Sequence, residues 1–180
     1  MSTRRLALAL VFLTALAATS CDRNGPGGKG GGRSPTFQYV KDQEGGCGDV
    51  FFHKGTADKT EVLWVSADKT KLQLPDKGSK TFDLAATPEG LTVAVDLWPR
   101  APRFSAYCDD ISPDVQRDAT WKAKKGKVTI TLSEPQDKQG RGSYKASVRL
   151  EDVLFEDDAG HQATLKDEAI TDVLVGWHAG

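Results

Sequence analysis

Cys108-Asp109-Asp110, followed by Asp114, concentrates three carboxylates beside a cysteine. Hard cations such as calcium take oxygen ligands of this kind. The spacing lacks the Asp-x-Asn-x-Asp-Gly order of a calcium loop, so the competing reading is that Asp109 and Asp110 cap a turn while Asp114 sits in a first helical turn. A second acidic group, Glu156-Asp157-Asp158, reads as a solvated hairpin tip. The three histidines, His53, His161 and His178, fall in different segments and form no His-Glu-x-x-His pair. His53 alternates with Asp49 and Phe51 on one strand face, which suits a cross-strand hydrogen bond at least as well as a role in proton transfer. The sequence contains no Gly-x-Ser-x-Gly elbow and no catalytic-cysteine signature, and no motif calls for a cofactor.

The second kind of chemistry is recognition. Alternation from Leu91 to Leu97 places Trp98 toward the polar face, beside Arg100, Arg103 and Phe104. Trp and Arg are enriched at binding hot spots, and an indole can stack on a sugar ring. The expectation is therefore an exposed binding loop at Trp98, Arg100, Arg103 and Phe104. The alternative is that the chain bulges at Pro99 or Pro102 and buries Trp98 under a neighbouring loop. Trp64, Trp121 and Trp177 read as core or sheet-packing residues, since Val62, Val128 and Val175 stand nearby.

These residues are carried by strands. Leu91, Val93, Val95 and Leu97 share one face of a segment whose alternate residues are smaller or polar. Val128-Ile130-Leu132 and Tyr144-Ala146-Val148-Leu150 repeat the pattern, with a polar, glycine-containing stretch between them that predicts a hairpin. Weaker strands are predicted at 37–41, 49–54, 61–66, 71–74, 81–84, 153–156, 163–165 and 170–177. Thr87-Pro88-Glu89-Gly90 and Asp157-Asp158-Ala159-Gly160 suit reverse turns. Ser112, Pro113 and Asp114 make a local case for one helical turn over 112–118. The class implied is all-β: an antiparallel β-sandwich, immunoglobulin-like or related, or alternatively a β-barrel.

The chain before this domain has a different character. Arg4 and Arg5 precede an apolar run from Leu6 to Ala18 that is interrupted by Thr14. As a helix this run rises about 20 Å, short of the roughly 30 Å of a bilayer core, which suits a signal peptide over residues 1–20. Ala18-Thr19-Ser20-Cys21 resembles the lipobox of bacterial lipoproteins. The resemblance implies that Cys21 receives a diacylglyceryl thioether and becomes the acylated first residue. In enteric members of that family, aspartate at the position of Asp22 implies retention at the inner membrane. Residues 21–36, with six glycines, then form a lipidated N-terminus and flexible tether, and a single domain occupies 37–180.

Cysteine arithmetic agrees. Cys21, Cys47 and Cys108 are three, and modification of Cys21 leaves an even pair for a disulfide in an oxidising compartment. Two buried thiols remain the alternative for Cys47 and Cys108. The chain has 24 Lys and Arg against 25 Asp and Glu. Loss of residues 1–20 removes two arginines and no acid. Such near-neutral, interspersed charge lacks the basic stripe needed to displace counterions from nucleic acid. The function expected is a membrane-anchored cell-envelope lipoprotein whose β domain serves as a binding or structural module toward an envelope protein or glycan. The alternative is an envelope hydrolase or calcium-dependent protein using Asp109, Asp110 and Asp114.

Overall fold

The structure, a computed structural model, describes residues 32–103, 107–109, 112–135 and 143–176. The signal segment, Cys21, Asp22, Phe104, Asp110, Trp177 and His178 lie outside the described residues. Eight strands are formed: β1 (Tyr39–Cys47), β2 (Phe51–Thr56), β3 (Glu61–Ala67), β4 (Gly78–Asp83), β5 (Leu91–Leu97), β6 (Ala119–Pro135), β7 (Tyr144–Glu156) and β8 (Gln162–Val175). They make one antiparallel sheet in the order β1-β2-β3-β5-β6-β7-β8, with β4 paired to the second half of β6. The first half of β6 pairs β5, so one long strand holds two shorter ones in succession along the same edge. The class is thus all-β and antiparallel, as expected, and the single sheet curls until β1 and β8 approach each other. The barrel describes this continuous sheet more closely than two facing sheets would.

Period-two alternation builds the interior. Phe52, Val65 and Val93 lie opposite one another across three strands, as do Leu63, Val95 and Trp121, and all are fully or almost fully buried. Val128, Ile130 and Leu132 meet Leu150, Val148 and Ala146 in the same way. Directly paired apolar side chains are the unit of sheet stabilisation, and here they line a nearly closed ring with one core.

Two strands run through gaps that the alternation predicts between separate segments. The segments 144–150 and 153–156 are one strand, because a bulge at Asp152, where φ is 49°, restores the inward phase at Val153. Gly126 faces that point from β6 with φ 125°, and a Cβ there would come within 2.7 Å of the Val153 Cα. Only glycine fits that close approach. In β8 the segments 163–165 and 170 onward are joined because residues 165–170 stay paired with β7 through its bulge, and Asp172 makes a second shift further along, between Ile170 and Val173.

Two sequence expectations are corrected. Residues 71–74 form turns, with Leu72, Gln73 and Leu74 N–H groups bonded to Asp68, Thr70 and Lys69 carbonyls, and Leu72 and Leu74 are buried as part of the core. The 112–118 segment contains bends and no helix. Its predicted helical acid, Asp114, instead accepts hydrogen bonds from the Arg103 N–H at 2.7 Å and the Arg100 guanidinium at 3.0 Å.

The β1–β8 seam closes with few backbone bonds. Gly48 and Gly176 form one bridge, and Gly46 lies so near the Leu174 carbonyl that a Cβ would sit 2.8 Å from it. Below this, side chains span the gap. Lys54 reaches Glu44 at 2.7 Å and Glu168 at 2.9 Å, and Lys41 donates to the Thr171 hydroxyl at 2.7 Å. Burial opposes charge on Glu44, yet hydrogen bonds from Lys41 and Lys54 hold its pKa below the ordinary value. Burial likewise opposes charge on Lys54, and its two carboxylate partners raise its pKa nevertheless.

The last residues of the expected tether are docked on the barrel. Arg33 donates to the Thr60 carbonyl, while Thr36 and Phe37 donate to the Glu61 carboxylate, which is buried at the start of β3. Phe37 then enters the core against Phe155, with ring centroids 5.7 Å apart. The chain therefore reaches the barrel at the end where β2 and β5 finish and β3 begins.

Candidate functional site

The outer face of β2, β3 and β5 is covered, and that cover makes the site. Alternation sends Phe51 and His53 of β2, Trp64 of β3, and Ala94 and Asp96 of β5 outward, opposite to the core residues between them. On an open sheet these positions would be solvated. Here the described parts of the segment 98–118 lie across the face, and Cys47 and Cys108 pin it there as a disulfide, with S–S 2.02 Å and Cα–Cα 5.7 Å. The expected pairing of these two cysteines is correct.

Asp96 is the centre of the covered face. It is 0% exposed, and its carboxylate accepts four side-chain hydrogen bonds. Trp64 Nε1 donates at 3.0 Å, the Tyr107 hydroxyl at 2.6 Å and Arg117 at 3.0 Å to one oxygen, and the Thr120 hydroxyl at 2.7 Å to the other. These donors come from β3, from the middle and the far end of the covering segment, and from β6. A buried carboxylate is tolerable only when its lone pairs are filled in this way. Burial and the neighbouring Asp96 charge push the Tyr107 phenol far above its usual pKa, so Tyr107 is a fixed donor.

Aromatic rings surround this centre. Trp64 and Phe51 lie 6.1 Å apart at 20°, Phe51 and Tyr107 5.9 Å apart at 23°, and His53 and Tyr107 5.7 Å apart at 18°. Gly45 makes room for His53, since a Cβ there would fall 2.4 Å from the His53 Nε2. Burial lowers the His53 pKa, so the ring packed on Tyr107 is held neutral.

Comparison of the chain with protein-family models, curated proteins and solved structures finds no match. What the site does must be read from its own shape.

A groove of about 640 Å³ opens beside the platform, lined by Phe51 and Trp64, the disulfide, Asp49 and Asp68, with Asp96 and Arg117 at its inner end. Two smaller hollows meet the same tyrosine, one beside Trp98 and Arg117 and one beside His53 and Arg103. Tyr107 is thus a partition between concave surfaces. A cavity of this volume, which combines the Phe51, Trp64 and Tyr107 rings with a few fixed polar groups, has the dimensions of a small-ligand site.

The expected binding loop is corrected by the same geometry. Trp98 does lie on the outer face, because its N–H continues the sheet by bonding to the Thr60 carbonyl. However, it is only 1% exposed. The covering segment closes over it, and the Arg117 guanidinium lies 5.8 Å from its ring centroid. Arg100 and Arg103 serve to hold Asp114, and hydrogen bonds from Arg103 and then Arg100 keep the Asp114 pKa low.

Asp109 is exposed beside the disulfide, and Asp114 is occupied by the two arginines. Among the described residues no group of three His, Cys, Asp or Glu side chains is arranged to hold a metal ion. His161 caps its own turn against Asp157 at 2.8 Å.

Trp121 is a core residue, as the sequence indicates, whereas Trp64 is part of the outer platform. The sequence signal for Trp64 was its place between the inward Leu63 and Val65, the same alternation that placed Trp98 outward. Asp96, Tyr107 and Arg117 were missed. Tyr107 had one usable sign, its position next to a cysteine expected to pair with Cys47.

Proposed function

We propose that the protein is an exported lipoprotein, held to a membrane by a lipid on Cys21, whose barrel binds a ligand in the groove beside Phe51 and Trp64. The observation that carries the binding role is the groove itself, an aromatic wall on the outside of the barrel kept rigid by a buried carboxylate and a disulfide. Concave aromatic surfaces preorganised in this way lose little entropy when a ligand settles on them.

The disulfide supports the exported address, because such bonds persist in oxidising compartments. It also leaves Cys21 as the single cysteine outside the pair. The ladder register supports an orientation. Arg33 to Phe37 dock where β3 starts, while Asp49, Asp68 and Gly90, which line the groove, lie at the opposite end of the same strands. The groove thus opens at the end of the barrel opposite to the one where the tether arrives.

Two measurements test this reading. Cys21→Ser is expected to move the protein from the membrane fraction to the soluble exported fraction, and unchanged partitioning refutes the anchor. Mass spectrometry of small molecules co-purifying with the native protein is expected to show a species that is lost from Trp64→Ala. A profile identical in the two proteins refutes the groove as the binding site, provided that the variant retains the native circular-dichroism spectrum.

A further inference from the structure

The charges lining the groove do not balance. Asp49, Asp68 and Asp96 face it, against Arg117. Asp96 and Arg117 are paired with each other, and three further donors fill the remaining acceptor sites of Asp96. Asp49 and Asp68 are left in excess. Each is oriented by one backbone N–H, that of Lys69 on Asp49 at 2.7 Å and that of Lys71 on Asp68 at 2.9 Å. The second oxygen of each has no partner among the described residues. The two adjacent lysines neutralise them at most in part, because the Lys69 ammonium is drawn to Asp76, and the Lys71 ammonium pairs with Glu89 and attracts Asp68 only as a weaker, longer-range partner.

From this complementarity we propose that the groove takes a small organic cation, a protonated amine carried on a flat or ring-shaped apolar body. The proposal rests on the groove being the binding site and adds the chemistry of its ligand. The body lies against Phe51 and Trp64, and the ammonium meets Asp49 and Asp68. An aromatic face carries a negative quadrupole, so the wall and the rim attract the same sign of charge. An anion would meet two unpaired carboxylates, and a neutral ligand would leave both without a counter-charge. The groove, about 640 Å³, holds a small molecule of this kind.

The test is calorimetric titration of the detergent-solubilised full-length protein with three matched probes: phenethylammonium, 2-phenylethanol and phenylacetate. Phenethylammonium is expected to bind about 10-fold more tightly than the alcohol, with phenylacetate weakest and the preference shrinking as salt is added. The double variant Asp49→Asn/Asp68→Asn keeps the acceptor oxygens for Lys69 and Lys71. It is expected to lose about 10-fold for the cation while leaving the alcohol unchanged and the urea midpoint near that of the wild type. Equal or tighter binding of the alcohol or the acid, an unaltered cation affinity in the double variant, or no heat from phenethylammonium at millimolar concentration overturns the proposal. If a neutral or anionic probe binds and Trp64→Ala abolishes it, the groove stands and only the ligand class fails. If no probe binds and nothing co-purifies, both fail.

Discussion

Removing the Asp96 carboxylate is expected to be the most costly single change on the outside of the barrel. Asp96→Ala strands the Trp64, Tyr107 and Thr120 donors and frees Arg117. A hydrogen bond to a charged acceptor contributes roughly 1.5–3 kcal/mol, but Trp64, Tyr107 and Thr120 are only half-buried and can recover some hydration, so roughly 1–1.5 kcal/mol is the right scale for each. The Arg117 side chain is 51% exposed, and its ion pair contributes at most about 1 kcal/mol after solvent screening. The expected total is about 4 kcal/mol. Asp96→Asn keeps the volume and one acceptor oxygen but turns an NH2 group toward donors, and it should cost about 2–3 kcal/mol. Arg117→Met should cost about 1 kcal/mol or less. Urea unfolding followed by tryptophan fluorescence, with the disulfide intact, measures all three. The reasoning fails if Asp96→Asn lies within about 1 kcal/mol of wild type, or if Asp96→Ala costs no more than Arg117→Met, since Asp96 would then serve only its ion pair.

Other consequences follow from the strap and from His53. Replacing Cys47 and Cys108 by serine opens a link between positions 61 residues apart, with an expected stability loss of about 4 kcal/mol by the loop-entropy relation, read from the shift of the urea midpoint. A loss below about 1 kcal/mol would mean that the covering segment holds itself in place without the bond. His53 has a folded pKa below its unfolded value, so between those two values the unfolded chain binds the proton first. Its contribution is therefore complete above about pH 6.5 and falls as pH is lowered through the folded pKa. His53→Phe should flatten the stability profile in that window, and an unchanged slope between pH 7 and 5 would exclude His53 as its source.

Much of the barrel was legible because its core obeys a period of two. Leu91 to Leu97, Val128 to Leu132 and Tyr144 to Leu150 each declare an inward face that the ring then closes on. The merged strands were not legible, because Asp152 at positive φ reverses the phase of β7 without ending the ladder and β8 follows it in register, with a second insertion at Asp172 further along. Alternation reports the phase of a strand and is silent about its continuity. Lys71 to Leu74 failed for a related reason: two leucines at spacing two also suit a turn that plugs a barrel end. Asp96 was invisible because a lone acid on the polar face of a strand looks solvated. Its burial depends on residues from 98 to 118, which no local pattern places over it. Trp98 shows the same limit, since the face was read correctly and the cover was not.

The seam and the strap meet on one strand. Inward on β1, Glu44 joins Lys54 and the amide of Thr171, tying β1 to β8 where the backbone ladder is missing. Outward, three residues later, Cys47 anchors the covering segment and so fixes Tyr107 against Asp96. Edge strands left without such ties invite pairing with other chains, and charged inward side chains are one way proteins block it. Here the blocking ion pairs also carry load for the groove. Cys47 ends the strand that borders the seam and is bonded to the residue next to the tyrosine that partitions the outer hollows, so ring closure and site geometry share β1. This accounts for Gly45 and Gly46, which let β1 approach His53 on one side and β8 on the other more closely than any side chain would permit.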